Sequence, residues 1–262
     1  MNATASGSTK NAIISFEHVT FRYGANLILS DINFAVADGA INCVIGPSGC
    51  GKTTVLRLVG GFIQASEGTV TVTGQTRTRP TRDVAVVFQD YSRALLPWRD
   101  VYENVSLALE AAHLPRAERR DKIERMLKLV GLESHMRKFP AQLSGGMQQR
   151  LQIARCLAQD PKILLMDEPF GALDAMTRQI LQDELLRIQA EQRVTVLFVT
   201  HDLEEALYLG DKIIALAANP GRVSTIVDIP LPSPRNQLTT REHPDFLRMR
   251  RELFGLTHGH QV

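Results

Sequence analysis

The sequence predicts an α/β protein built on a mostly parallel sheet, with a helical lobe inserted into it. Short apolar runs alternate with helical patterns along most of the chain. The glycine-rich stretch "GPSGCGKT" (Gly46 to Thr53) lies between an apolar run and a helical pattern. From Asp90 to about Asp160 the strand signal stops, and a more charged, mainly helical stretch takes its place.

The elements follow in order. "AIISFEHVTFRYG" (Ala12 to Gly24) alternates apolar and polar residues and is rich in β-branched and aromatic types, so it reads as a strand. "INCVIG" (Ile41 to Gly46) is a short apolar run ending in glycine, consistent with a buried parallel strand. "TTVLRLVGGF" reads as a helix, "GTVTVTG" as a strand bounded by glycines, and "DVAVVFQ" (Asp83 to Gln89) as another buried strand. After the helical lobe, "KILLMDEP" returns to a buried strand and "DAMTRQILQDELLRIQAEQ" is an amphipathic helix. "VTVLFVTHD" is a strand, "LEEALYLG" a helix, and "NPGRVSTIVDIPLPSPR" a turn followed by a strand. Beyond Pro234 the pattern weakens to one short amphipathic helix around "DFLRMRRELFG".

Bulk properties bound the function. At 262 residues and 44% hydrophobic content the chain can bury a sizeable core. A formal net charge of +2 is too mild to argue for nucleic acid. The opening "MNATASGSTKNA" has no apolar core segment, so no signal peptide is expected. No uninterrupted apolar stretch approaches the ~18 residues of a membrane span. Cys43, Cys50 and Cys156 lack paired spacing and suit a reducing compartment. Cys50 reads as a tolerated small residue inside the glycine-rich loop. The "HGH" near the C-terminus reads as a solvated tail.

"GPSGCGKT" fits the phosphate-loop pattern in its required strand–helix context. The loop of Gly46, Pro47, Ser48, Gly49, Cys50, Gly51 and on to Thr54 can cradle phosphates through its backbone N–H groups, with Pro47 contributing the turn but no N–H. Lys52 supplies a positive charge to the β- and γ-phosphates, and the Thr53 hydroxyl can ligate Mg²⁺. "ILLMDE" (Ile163 to Glu168) ends a buried strand with Asp167, placed to hold Mg²⁺, and Glu168, placed to take a proton from water. No Asn-Lys-x-Asp guanine reader occurs, which favours ATP over GTP. "LSGGMQQR" (Leu143 to Arg150) then presents a second anion-binding helix start at Ser144, Gly145 and Gly146. One nucleotide needs one phosphate loop. A second such start makes sense against a nucleotide held by another copy of the chain.

At these residues the sequence resembles the ATP-binding subunits of ABC transporters. "LSGGMQQRLQIARCLAQDPKILLMDEPFGALD" matches that family's signature, Walker B and D-loop in order. The resemblance covers roughly residues 14–235. It implies a P-loop NTPase core with an antiparallel β subdomain and an inserted helical subdomain. The implied ATPase domain spans 12–235, with 12–89 and 160–235 as the core and 90–159 as the helical part. Residues 1–11 are expected to be a flexible tail and 236–262 a C-terminal extension. The resemblance further implies a head-to-tail homodimer in which Ser144, Gly145 and Gly146 meet the γ-phosphate held by the partner copy.

Residue by residue, Tyr23 is implied to stack on adenine. Gln89 would sense Mg²⁺ and the attacking water, Asp174 would link the two sites, and His201 would be the switch histidine. The common signature has Gln where Met147 stands, so no role passes to position 147. The implied partners are transmembrane permease subunits and, through them, a solute-binding protein, with the chain peripheral at the cytoplasmic membrane face. Leu95, Leu96, Pro97 and Trp98 are expected to line a receptor groove for the permease. "LLPW", with "LPSPR" (Leu231 to Arg235), resembles the nitrate, sulfonate and taurine importer branch, whose members also carry other small solutes such as bicarbonate. A different importer branch is the alternative. An ABC ATPase acting on DNA or ribosomes is disfavoured by the single cassette and the lack of a coiled coil. A non-hydrolysing module is disfavoured by Glu168 and His201.

Overall fold

The computed structural model describes residues 12–258. The expected N-terminal tail, residues 1–11, and the end of the chain from Gly259, within "HGH", lie outside the described residues.

Two sheets organise the chain. One is four-stranded, in the order β2-β1-β4-β5, and the other six-stranded, in the order β10-β9-β3-β8-β7-β6. The first is antiparallel and comprises β1 (Ala12–Tyr23), β2 (Asn26–Ala37), β4 (Glu67–Val72) and β5 (Gln75–Thr76). In the second, β3 (Ile41–Ile45), β6 (Val84–Val87), β7 (Ile163–Asp167), β8 (Thr195–Val199) and β9 (Lys212–Ala217) run parallel. Only β10 (Arg222–Asp228) is antiparallel there.

Strand periodicity divides the interior into two cores. Pairing aligns Val87, Met166, Phe198, Cys43 and Ile213 into one row across the parallel sheet. All five point into a core shared with the helices. Their sequence neighbours Val44, Leu165, Leu197, Val199 and Ile214 point the other way, into a core shared with the antiparallel sheet and α1 (Lys52–Gly60). Each fully buried aliphatic or aromatic side chain of this kind stabilises by about 1.5–3 kcal/mol relative to exposure. Because both faces are covered, these strands read as unbroken apolar runs.

Two strands were not legible as such. In β2, Asp31 (φ 51°) opposes a β1 segment with His18 at φ 52°, and the pairing register shifts there. The bulge interrupts the alternation that marks a half-buried strand. β9 is a short apolar run directly after a helix, and periodicity cannot separate it from that helix. Its position is nonetheless central, between β3 and β10.

Between β6 and β7 the chain forms α2 (Tyr91–Ala94), α3 (Val101–Ala111), α4 (Arg116–Leu129) and α5 (Gly145–Leu157). α3 begins with a complete capping box: the Asp100 carboxylate accepts from Glu103 N at 2.7 Å, and the Glu103 carboxylate accepts from Asp100 N at 3.1 Å. Asp100→Ala removes that cap and the Arg137 contact, so it is expected to cost about 1 kcal/mol. A lowered urea midpoint with an unchanged slope, and unchanged ATP affinity, would be the corresponding result; an unmoved midpoint would show the cap to be energetically silent. The weak pattern after Pro234 resolves into α8 (Thr239–Glu242) and α9 (Pro244–His258). Phe246, Met249 and Leu253 of α9 are buried in the helix-side core beside α7 (Leu203–Leu209).

Candidate active site

Four parallel strands deliver site residues to the same sheet edge. The phosphate loop follows β3, Gln89 lies two residues past β6, Asp167 ends β7 and His201 lies two residues past β8. Strand carboxyl ends are where open α/β sheets bind ligands.

The loop's backbone demands its glycines. Gly46 has φ 154°, and a Cβ there would lie 2.5 Å from the Leu216 carbonyl oxygen and 2.7 Å from Cys50 Sγ. Gly51 has φ 97°, and its Cβ would lie 2.4 Å from Leu29 Cδ2. Cys50 is buried against Gly46, and burial raises its thiol pKa. It acts as a small packed residue in a tight place. Pro47, Ser48 and Gly49 form the exposed tip. Lys52 is buried, and its Nζ donates to the carbonyls of Gly46 at 2.7 Å and Pro47 at 3.0 Å. The loop is thus curled around the ammonium. Thr54 is buried, so it offers a helix-start N–H rather than an open hydroxyl.

Thr53 and Asp167 meet across the site: the Thr53 hydroxyl donates to Asp167 Oδ1 at 3.3 Å. Burial lifts the Asp167 carboxyl above its ordinary range, and the Glu168 charge adds to this. A desolvated carboxylate beside a hydroxyl is short of positive charge. This all-oxygen pair fits Mg²⁺, which takes one or two protein ligands plus phosphate oxygens. Among the described residues no group of three or more His, Cys, Asp or Glu could hold a metal by itself.

Glu168 adopts φ 44°, a left-handed conformation uncommon outside glycine, and its N–H donates to Val199 O at 2.9 Å. Such positions are retained where the surroundings force them. Here the turn aims the carboxylate at His201, whose Nδ1 lies 3.1 Å from Glu168 Oε2. Gln89 is exposed at the end of the neighbouring strand. Since Val87 pairs with Met166, Gln89 and Glu168 each lie two residues past the same rung. Tyr23, 45% exposed at the end of β1, accepts from Arg57 Nη1 of α1 at 3.4 Å, so it stands beside the phosphate-loop helix.

The second helix start lies apart. Ser144 caps α5 by accepting from Met147 N at 3.3 Å. Gly146 leaves no room for a side chain, since a Cβ would lie 2.7 Å from Thr177 Cγ2. Among the described residues no hydrogen bond joins Ser144, Gly145 or Gly146 to residues 46–54. Met147 packs on the helix-side core, while Gln148 Nε2 donates to the carbonyls of Pro140 at 3.0 Å and Leu143 at 3.2 Å. Asp174 caps α6 (Ala175–Gln192) by accepting from Thr177 N at 2.9 Å; those Thr177 bonds hold its carboxyl below the usual range.

One buried residue that spacing did not single out is Gln152 of α5. With its amide oriented to satisfy both atoms, Oε1 accepts from Phe88 N at 2.8 Å and Nε2 donates to Phe88 O at 3.3 Å. The available signal was a polar residue on the apolar stripe of an amphipathic helix.

A family model described as ABC transporter matches residues 29–171, which hold the phosphate loop, Gln89, the α5 start and the Asp167–Glu168 pair. The chain belongs to that family. Among similar ABC proteins is the nitrate import ATP-binding protein NrtD of Synechococcus elongatus, 45% identical over 87% of this chain and 84% of that one. The bicarbonate transport ATP-binding protein CmpD of Synechocystis sp. is 43% identical over 95% of this chain and 90% of that one. CbiO1 of Clostridium perfringens, described as part of the ABC transporter complex cbiONQ, shares the fold with a TM-score of 0.79 at 23% identity, over 97% of this chain and 100% of that one. The chain is therefore an ATP-binding ABC transporter ATPase, with a parallel core, an antiparallel sheet and added helices. No helix among the described residues is long and apolar enough to cross a membrane.

Proposed function

We propose that this ABC ATPase drives import of a small, anionic solute through a membrane permease, working as a head-to-tail pair of copies on the cytoplasmic face. The observation that carries the paired arrangement is that, among the described residues, no hydrogen bond joins the two helix starts. Lys52 and Thr53 serve a nucleotide in one copy, and Ser144, Gly145 and Gly146 are left to serve the nucleotide of the other. Relatives named for nitrate import and bicarbonate transport support the anionic solute. On this reading a solute-binding protein delivers the solute to the permease.

In this mechanism Lys52 exchanges the Gly46 and Pro47 carbonyls for β- and γ-phosphate oxygens. Tyr23 stacks on adenine. Thr53, Asp167 and Gln89 would hold Mg²⁺, which would neutralise phosphate charge when bound. Water attacks the γ-phosphorus as Glu168 accepts its proton. The new P–O bond forms as the bond to the ADP oxygen breaks, and ADP and phosphate leave. His201, held at the Glu168 carboxylate, orients that carboxylate and faces the γ-phosphate. Asp174 starts the helix through which one site reports to the other. The ATPase domain spans 12–235 on this reading, with residues 90–159 as the part that meets the permease.

The exposed side chains in and just ahead of that part narrow the contact. Trp98 is 71% exposed and Phe88 50%, whereas Leu95 is 2% exposed and belongs to the core. The expected groove is therefore smaller than the full "LLPW" run. Buried Asn104 shapes it: its Nδ2 donates to the carbonyls of Leu96, Arg99 and Asp100, and its Oδ1 accepts from Leu96 N. Trp98 sits on the loop so fixed. Trp98→Ala is expected to reduce co-purification with the permease while ATP affinity stays unchanged. Unaltered assembly and transport would make Trp98 a surface residue without a partner. Ligand-binding measurements on the co-purifying solute-binding protein would test the anionic solute.

A further inference from the structure

The C-terminal extension is wired into the switch segment by a chain of side chains. Arg241 Nη1 donates to Glu204 Oε2 at 3.0 Å, and Arg250 Nη1 donates to Glu204 Oε1 at 2.8 Å. Both arginines of this grip come from the extension, and Glu204 lies three residues past His201. The same Arg241 reaches inward: its Nη2 donates to Gln182 Oε1 of α6 at 3.3 Å. Gln182 Nε2 donates in turn to Glu205 Oε1 at 3.1 Å. Glu205 N donates to Asp202 Oδ1 at 3.2 Å, and Asp202 N donates to the Thr200 hydroxyl at 3.0 Å. Gln237 fastens the outer end, with Nε2 donating to Asp183 Oδ1 at 2.8 Å and Gln179 O at 3.1 Å.

The chain therefore runs from α8 through α6 to the residues on either side of His201. Exposed ion pairs alone would hold little. The inner members differ, for Gln182, Glu205 and Thr200 are only 1%, 5% and 2% exposed. Buried polar networks of this kind fix one arrangement, because each member left unpaired is costly. The His201 side chain is 63% exposed and, among the described residues, is held only to Glu168. Its placement is thus set by the backbone of residues 200–202.

We propose that the C-terminal extension positions the switch histidine, with Arg241 and Gln182 as positioning residues that keep His201 against Glu168. This rests on the reading of His201 and Glu168 given above. Hydrolysis then depends on how well α8 and α9 are docked.

The test uses the full chain purified with its permease and compares Arg241→Met, His201→Ala and the double variant. Arg241→Met is expected to lower kcat by roughly tenfold, below the ~10²-fold that a 1 Å misplacement of a reacting group costs, with KM for ATP unchanged. In the double variant the arginine substitution should add nothing to the loss from His201→Ala, since both act through one group. Arg250→Met, on the exposed side of the same Glu204 grip, should lower kcat in the same sense and serves if Arg241→Met folds poorly. A His201→Ala protein with wild-type turnover would overturn the switch reading, and the positioning role with it. An impaired His201→Ala protein in which Arg241→Met still multiplies the loss would overturn the positioning role alone. Wild-type kcat in both arginine variants would do the same.

Discussion

Glu168→Gln is expected to lower ATP hydrolysis by roughly 10²–10⁴-fold, the contribution of a positioned general base. The substitution keeps the shape and removes the proton acceptor. It also replaces the carboxylate that His201 Nδ1 approaches at 3.1 Å with an amide. ATP binding is expected to persist, because Lys52, Thr53 and Asp167 are untouched. ATP then accumulates between the phosphate loop of one copy and Ser144, Gly145 and Gly146 of the other. In the permease complex this traps the closed pair, and for the isolated chain it shifts size-exclusion elution toward a dimer on adding ATP. Ser144→Arg on that background is expected to reverse the shift, since its bulk blocks the approaching γ-phosphate. An ATP-loaded Glu168→Gln complex that never closes would count against the head-to-tail pair.

Lys52→Ala is expected to abolish measurable turnover. Removing one preorganised donor to developing charge costs about 10²–10³-fold in rate. Lys52 brings a full charge from a buried position, so binding suffers as well. The loop itself changes too, because the Gly46 and Pro47 carbonyls lose their donor. Lys52→Met keeps the stem but not the donor, so it separates packing from charge: its thermal midpoint is expected above that of Lys52→Ala while ATP affinity stays lost. Near wild-type affinity and turnover in both variants would remove the phosphate-loop assignment.

The parts of this protein that were legible in sequence are those whose physics is local. Gly46, Gly51 and Lys52 act within one turn of chain, so their spacing carries the whole loop. The apolar runs before Gly46, Glu168 and His201 declare buried strands because both sheet faces are covered. β2 was lost to the bulge around Asp31, where two register shifts break the alternation. β9 was lost because a short apolar run after a helix has no period of its own. The polar network was hidden for another reason. Gln182 meets Glu205 and Arg241 across separations that no window spans, and a glutamine in an amphipathic helix reads as solvated surface. The C-terminal helix gave a weak pattern because, among the residues whose side chains are described, Phe246, Met249 and Leu253 are the buried ones and the charged Arg248, Arg250, Arg251 and Glu252 fall between them.

The placement of α2 to α5 between adjacent strands β6 and β7 has an evolutionary consequence. A parallel pair needs a crossover of only about a dozen residues, so everything beyond that is surplus to the sheet. Because β6 and β7 run parallel, the chain leaves at the carboxyl end of β6 and re-enters at the amino end of β7, where Lys162 N and Ile163 N both donate to Asp83 O. Residues of that connection ahead of α5 can drift, lengthen or be exchanged between relatives without disturbing a rung of the sheet, whereas the α5 start and Gln152 stay tied to the site. An exchange confined to that leading part is therefore the natural way to change what the lobe recognises.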